Sequence, residues 1–256
     1  KLWDIEDKLR LIEKQQTDYK VFVFDVDGTL TPSRGMIDTK FAETFVNIAS
    51  RHPMYLVTGS DRPKTVEQVG ESVYNSCAAV YQCSGNEKWY QDTCLRTTEI
   101  ELPDDMYKVF DYWLGASQFK HKTGQHVDMR AGLVNFSVLG RGATPEQRAE
   151  YVKWDNNIDE RRTIAATMSN AFGDQYSINV AGETGIDITY KGSGKQQIVE
   201  ELLELHPGHT VEFYGDRTEP GGNDHSIAKK LVELGHIVHT VKDWTDTERL
   251  LKYQQL

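Results

Sequence analysis

Apolar and polar positions along the chain follow two different rhythms. In the first rhythm, short apolar runs alternate with segments of helical period. Residues 21–24 (VFVF), 54–57 (MYLV) and 78–81 (AAVY) are short, β-favouring and uninterrupted by charge, which predicts strands buried on both faces. Between the first two, Phe41, Phe45, Val46 and Ile48 fall at helical spacing, predicting a helix over 38–50 that ends before Pro53. Another helix is predicted from Asp61 onward, and residues 3–16, with Trp3, Ile5, Leu9, Leu11 and Ile12 among charges, predict an amphipathic helix ahead of the first strand.

The rhythm changes at residue 87. Residues 89–91 and 95–98 predict a hairpin around Asp92-Thr93, and 106–114 a helix. Residues 127–130 and 133–139 alternate like antiparallel strands around Ala131-Gly132. Helices over 145–154 and 159–171 and strands over 176–181 and 186–190 complete this part. The first rhythm then returns: a helix over 195–205, a strand over 211–214, a helix over 226–234, a strand over 237–241 and a helix over 244–253. The pattern therefore predicts an α/β core with a parallel sheet, made of residues 1–86 and 191–256, interrupted by an α+β domain with an antiparallel sheet over 87–190.

In open α/β sheets ligands bind at the carboxyl ends of the strands, and here those ends are loaded. The first strand runs into Asp25-Val26-Asp27-Gly28-Thr29. Residues two apart in extended chain point the same way, so both carboxylates are expected on one side, where a divalent cation would keep both ionised. The second strand ends in Thr58-Gly59-Ser60-Asp61, a hydroxyl-rich turn at a helix start that suits a phosphate. Lys195 opens a later helix, Asp216 follows the 211–214 strand, and Asp224 precedes the next helix. Carboxylates, one lysine and hydroxyls fit a site for Mg²⁺ and a phosphoryl group, because Mg²⁺ takes oxygen ligands and keeps substrate oxygens and waters. His206 and His209 flank a Pro-Gly turn and are expected to be loop residues.

Composition narrows the partners. Of 256 residues, 38% are hydrophobic and 27% charged, enough apolar material for a sizeable core. A net charge of −10 argues against non-specific binding to nucleic acid or to an anionic membrane, so an anionic substrate needs a local positive site. Three cysteines without a metal spacing suit a reducing compartment. No apolar run approaches the roughly 20 residues of a membrane span, and residues 1–20 have neither signal-peptide nor transit-peptide character. The expected location is the cytoplasm.

DVDGTLT, a hydroxyl turn, a lysine opening a helix, and Gly215-Asp216 with downstream Asn223-Asp224 resemble the four ordered motifs of the haloacid dehalogenase-like phosphotransferases. The resemblance covers the whole chain and implies a Rossmann-like core with a C2b-type cap. Within that superfamily the chain is most similar to the eukaryotic-type phosphomannomutases. The 215–224 segment GDRTEPGGND resembles that family's GDKTxPGGND; Arg130-x-Gly132-x-x-Asn135-x-Ser137-x-x-Gly140-Arg141 resembles its cap motif; Arg148 and Arg34 also fall where the family has arginines.

The resemblance implies a role for each matching residue. Asp25 is the nucleophile and a Mg²⁺ ligand. Asp27 binds the metal through its carbonyl and acts as acid and base through its carboxylate. Asp216 completes the metal site, with Asp224 nearby either as a further ligand or as a support behind the ligands, and Ser60 or Thr58, with Lys195, holds the transferring phosphoryl group. Arg34, Arg130, Arg141 and Arg148 bind the sugar phosphate and Asp187 the sugar hydroxyls. The implied activity is interconversion of mannose 6-phosphate and mannose 1-phosphate through a hexose 1,6-bisphosphate, which also serves as activator. A homodimer through the cap is implied as well. The alternative is a sugar-phosphate phosphatase with the same aspartate nucleophile. The chain departs from the family at Gly185-Ile186-Asp187, where a serine is usual and about two residues are added upstream, at Thr58, and at Cys83-Ser84-Gly85-Asn86. It also lacks an acidic residue over 226–232 for the family's second cation site.

Overall fold

The computed structural model describes residues 19–33 and 35–253; the helix expected over 3–16, and Arg34, lie outside the described residues. In chain order the first elements are β1 (Val21–Phe24), α1 (Thr39–Ala49), β2 (Met54–Val57), α2 (Arg62–Ser76), β3 (Ala79–Gln82), β4 (Glu87–Tyr90) and β5 (Thr93–Thr97). Then come α3 (Asp104–Ala116), β6 (Val127–Arg130), β7 (Leu133–Phe136), α4 (Pro145–Ile158), α5 (Glu160–Phe172), β8 (Tyr176–Ala181) and β9 (Gly185–Tyr190). A 3-10 turn at Lys195–Ile198 leads into α6 (Val199–Leu205), followed by β10 (Val211–Gly215), α7 (His225–Glu233), β11 (Ile237–Thr240) and α8 (Trp244–Tyr253).

The chain divides into two compact units, one running to Thr97 and resuming at Gly194, the other Thr98–Ser193. In the first, a seven-stranded sheet has the order β11-β10-β1-β2-β3-β4-β5. The strands from β11 through β3 are parallel, and β4 and β5 continue antiparallel. The apolar runs of β1 and β2 are explained by alternation: Phe22, Phe24, Met54 and Leu56 enter the core on one face, while Val21, Val23, Tyr55 and Val57 enter the core on the other. With both faces of the sheet covered, β1 and β2 carry no charged side chain along their length. Polar residues first become possible where these strands end, and there the acidic and hydroxyl residues collect.

One boundary differs from the sequence expectation. The hairpin placed in the inserted domain instead extends the core sheet: Val80 pairs with Trp89 and Gln82 with Glu87. Trp89 packs on the first core cluster, and Lys88 pairs with Glu201 of α6. An antiparallel hairpin has the same period in either unit, so only its packing assigns it; the first crossing falls after Thr97 rather than at residues 86–87, while the second, after Ser193, falls at the end of the hinge expected over 190–193.

In the second unit a four-stranded antiparallel sheet, β6-β7-β9-β8, buries Val134, Phe136, Ile178, Ile186 and Ile188 against Met106 and Phe110 of α3 and Ile164 and Met168 of α5. The strand expected over 133–139 stops at Phe136. Among the described residues, no helix is long and apolar enough to cross a membrane.

Candidate active site

The acidic loop after β1 is held by its own backbone. Asp25 N donates to Tyr214 O (3.0 Å), while Thr29, Leu30 and Thr31 N all donate to Val26 O. Gly28, at φ +80, is required here, because a Cβ would lie 2.5 Å from Asp216 Oδ2. The loop is thereby brought against the end of β10. At that end Gly215 serves the same purpose: a Cβ there would lie 2.7 Å from Asp224 Oδ2.

Asp25 is buried at 2% exposure, and so are Lys195 (3%) and Asp224 (0%). Lys195 Nζ donates to Asp25 Oδ1 at 2.6 Å and to Asp224 Oδ1 at 2.7 Å. Asp224 is fixed by Arg217, whose N donates to Asp224 Oδ2 (3.3 Å) and whose O accepts from Asp224 N (3.0 Å). Asp216 faces the same space, and its Oδ1 is buried with no hydrogen-bond partner among the described residues. Asp25, Asp216 and Asp224 each offer a carboxylate oxygen within 4.8 Å of the others.

Burial, reinforced by the charge of Asp224 and opposed by Lys195, pushes the Asp25 carboxyl up to about 7. Burial and Asp224 also raise Asp216. Burial alone would lower Lys195, but Asp25 and Asp224 outweigh it and the ammonium is held above its ordinary value. With all three carboxylates ionised, the one ammonium would leave two negative charges unmatched. A divalent cation with oxygen ligands fits that deficit and the orphaned Asp216 Oδ1.

The Asp27 carboxylate is not part of the cluster, contrary to the expectation that it shares a side with Asp25. The strand ends at Phe24, so the two-residue alternation does not reach Asp27. Its Oδ1 accepts instead from Gln68 Nε2 at 3.0 Å. Thr58 is buried at the end of β2, and its Oγ1 accepts from Ser60 N (3.1 Å). The turn is braced by the loop after β3: Cys83 N donates to Ser60 O (3.0 Å) and Ser84 N to Thr58 O (2.8 Å). Both bracing residues are left-handed, with φ of 51° and 59°, a strain repaid by those contacts. Gln197 Nε2 donates to Ser84 O (2.8 Å), linking the Lys195 turn to the same brace.

In the second unit, Arg130, Arg141, Arg148 and Asp187 line one cleft of ≈ 240 Å³. Asp128 Oδ2 accepts from Arg130 Nε (2.9 Å) and from Arg141 Nη2, gathering two guanidiniums on one carboxylate. Arg148 stands in the first turn of α4, behind a capping box made by Thr144 and Gln147. Asp187 Oδ1 accepts from Asn135 Nδ2 at 2.7 Å. Gly185 makes that approach possible, because a Cβ there would lie 2.4 Å from Asn135 Nδ2. Ser137 and Thr184 also line the cleft, so it holds hydroxyls without a serine at 185.

Sequence reasoning missed Gln68 and Asp128. Gln68 gave no signal, being one polar residue in a helix. Asp128, two positions from Arg130 on a strand and so on its face, was legible in principle. His206 and His209 lie in the turn after α6, as expected of loop residues. His206 is buried, its Nδ1 3.1 Å from Tyr19 Oη and its Nε2 2.8 Å from Tyr55 Oη.

A parallel sheet with DVDGTLT at the end of its central strand, a buried lysine, and an inserted antiparallel domain define a phosphotransferase of the haloacid dehalogenase-like superfamily. A haloacid dehalogenase-like hydrolase from Bacteroides thetaiotaomicron shares the fold, with a TM-score of 0.58 at 14% identity over 93% of this chain and 100% of that one. The family model described as eukaryotic phosphomannomutase matches residues 41–253. Phosphomannomutase 1 of Dictyostelium discoideum is 30% identical over 242 residues, 90% of this chain and 94% of that protein. A probable phosphomannomutase of Caenorhabditis elegans is 28% identical over 235 residues, 87% of this chain and 91% of that protein. The chain belongs to the eukaryotic phosphomannomutase family.

Proposed function

We propose that the protein is a Mg²⁺-dependent hexose-phosphate mutase that interconverts mannose 6-phosphate and mannose 1-phosphate. The observation that carries this reading is the coexistence of two anion-handling sites in one chain. One is the buried Asp25–Lys195–Asp224 cluster and the other the arginine cleft of the inserted domain. A bisphosphate has a phosphate at each end, so a mutase needs a site for the phosphate that is not reacting. Planar guanidiniums suit that task through paired hydrogen bonds.

In the forward step a carboxylate oxygen of Asp25 attacks phosphorus, the bond from phosphorus to the sugar oxygen breaks, and an aspartyl phosphate forms. Asp27 gives a proton to the departing sugar oxygen and later removes one from the hydroxyl that takes the phosphoryl group. Lys195, with Thr58 or Ser60, offsets charge on the phosphoryl oxygens. Asp25, Asp216 and Asp224, with the Asp27 carbonyl, would hold Mg²⁺, which when bound supplies charge stabilisation for the transfer. Arg130, Arg141 and Arg148 bind the distal phosphate and Asp187 the sugar hydroxyls; Arg34 is assigned to the same phosphate by its motif position. The family resemblance also supports a cytoplasmic location, a homodimer through the inserted domain, and activation by hexose 1,6-bisphosphate.

The test is turnover of mannose 1-phosphate with Mg²⁺, with and without a hexose 1,6-bisphosphate. Mannose 6-phosphate formed at a rate that rises with bisphosphate is the expected result. Steady release of inorganic phosphate, indifferent to bisphosphate, would overturn it in favour of a sugar-phosphate phosphatase.

A further inference from the structure

We infer that Gln68 is a positioning residue for the reaction: it aims the Asp27 carboxylate and pins the chain that follows it. The inference rests on the reading of Asp27 as acid and base given above.

Gln68 lies on α2, far in sequence from the acidic loop, and is 4% exposed. Its Nε2 donates to Asp27 Oδ1 at 3.0 Å and lies 3.5 Å from Thr31 Oγ1. Asp27 and Thr31 are the two ends of the loop, bridged to each other across Gly28. The amide therefore grips the loop at the point where it closes. Its main chain makes a second grip. Gly70 breaks α2 with φ 76 and ψ 157, which removes the helical partner of the preceding carbonyls. Gln68 O accepts instead from Ile37 N at 2.8 Å, so one residue ties down both ends of the chain from Asp27 to Ile37.

A packing role alone does not account for this side chain. Gln68 Oε1 is buried and without a hydrogen-bond partner among the described residues. A buried amide with an unused acceptor is a poorer filler than methionine or leucine, because the desolvated oxygen costs free energy that an apolar side chain would not. What the amide adds is a neutral N–H donor to a carboxylate. A neutral donor fixes direction without adding charge.

The test compares Gln68→Met with Asp27→Asn in mannose 1-phosphate turnover, with thermal unfolding measured in parallel. Gln68→Met keeps the volume and removes the donor. A kcat lower by ~10- to 100-fold in Gln68→Met, with KM within about twofold and the melting temperature unchanged, is expected alongside a fall in kcat in Asp27→Asn. A fall in Asp27→Asn with none in Gln68→Met overturns the inference and leaves the reading of Asp27 standing. Near wild-type kcat in Asp27→Asn overturns that reading, and the inference with it. A raised KM at unchanged kcat in Gln68→Met also overturns it. If Gln68→Met does not fold, Gln68→Leu, which also removes the donor without adding charge, is read by the same criteria.

Discussion

Lys195 Nζ lies 2.6 Å from Asp25 Oδ1, an ion pair between residues 170 positions apart and both buried. The same ammonium is 2.7 Å from Asp224 Oδ1, so one cation separates two carboxylates. Lys195→Met should abolish turnover and, in metal-free protein, cost on the order of 3–5 kcal/mol, because it leaves buried carboxylates uncompensated. Denaturant unfolding at neutral pH in the presence of a chelator measures it.

Asp25→Asn should act oppositely on fold and chemistry. The amide removes a charge that burial already disfavours, and Lys195 keeps its partner Asp224. Turnover is expected to vanish with every substrate, and no phosphoryl group should become trapped on the protein, while the melting temperature stays within a few degrees of wild type. Residual turnover near wild type would remove Asp25 from the nucleophile role.

Mg²⁺ should stabilise the folded chain, because the Asp25, Asp216 and Asp224 cluster carries negative charge that the unfolded chain disperses. At a free concentration one hundred times the dissociation constant the gain is about 2.7 kcal/mol. It should appear as a rise in melting temperature that a chelator reverses and that Asp216→Asn diminishes.

In the arginine cleft, Arg148→Ala should raise KM about tenfold or more and change kcat little, since the guanidinium is assigned to the phosphate that does not react. Arg148→Lys should restore only part of the loss, because an ammonium lacks the planar fork. Steady-state kinetics of both variants checks this.

His206 predicts an acid limb in stability. Burial, with the nearby charge of His209 second, lowers its pKa from 6.5 to about 4. Below pH 6.5 the unfolded chain takes up a proton that the folded chain refuses until about pH 4, so stability is full above 6.5 and falls as the pH falls. The loss by pH 4 is on the order of 3 kcal/mol. His206→Gln should flatten this part of the profile, measured by denaturant unfolding across the range.

Much of the fold was legible because the two sheets write different patterns. A parallel sheet covered on both faces demands continuous apolar runs, as in β1 and β2, whereas the inserted sheet alternates. The hairpin β4–β5 was misassigned because its period says only that it is antiparallel. The core site was legible as a set of residue types at strand ends. Its partition was not, since Asp27 leaves the cluster for Gln68 once the strand has ended. Asp224 and Lys195 were found by motif order, but that one ammonium bridges Asp25 and Asp224 is a distance, not a pattern.

The sequence by itself determined the two folding rhythms, the family, and the residue types at the strand ends, because these depend on local periodicity and on motif spacing. The tertiary structure decided where the inserted unit begins, which carboxylates gather around Lys195, and which side chain aims Asp27. Those outcomes depend on long-range packing. Gly28 lets the acidic loop approach Asp216, Gly215 admits Asp224, and the break at Gly70 frees the Gln68 carbonyl for Ile37. No window of neighbouring residues records which distant carboxylate or amide will fill the space a glycine leaves open.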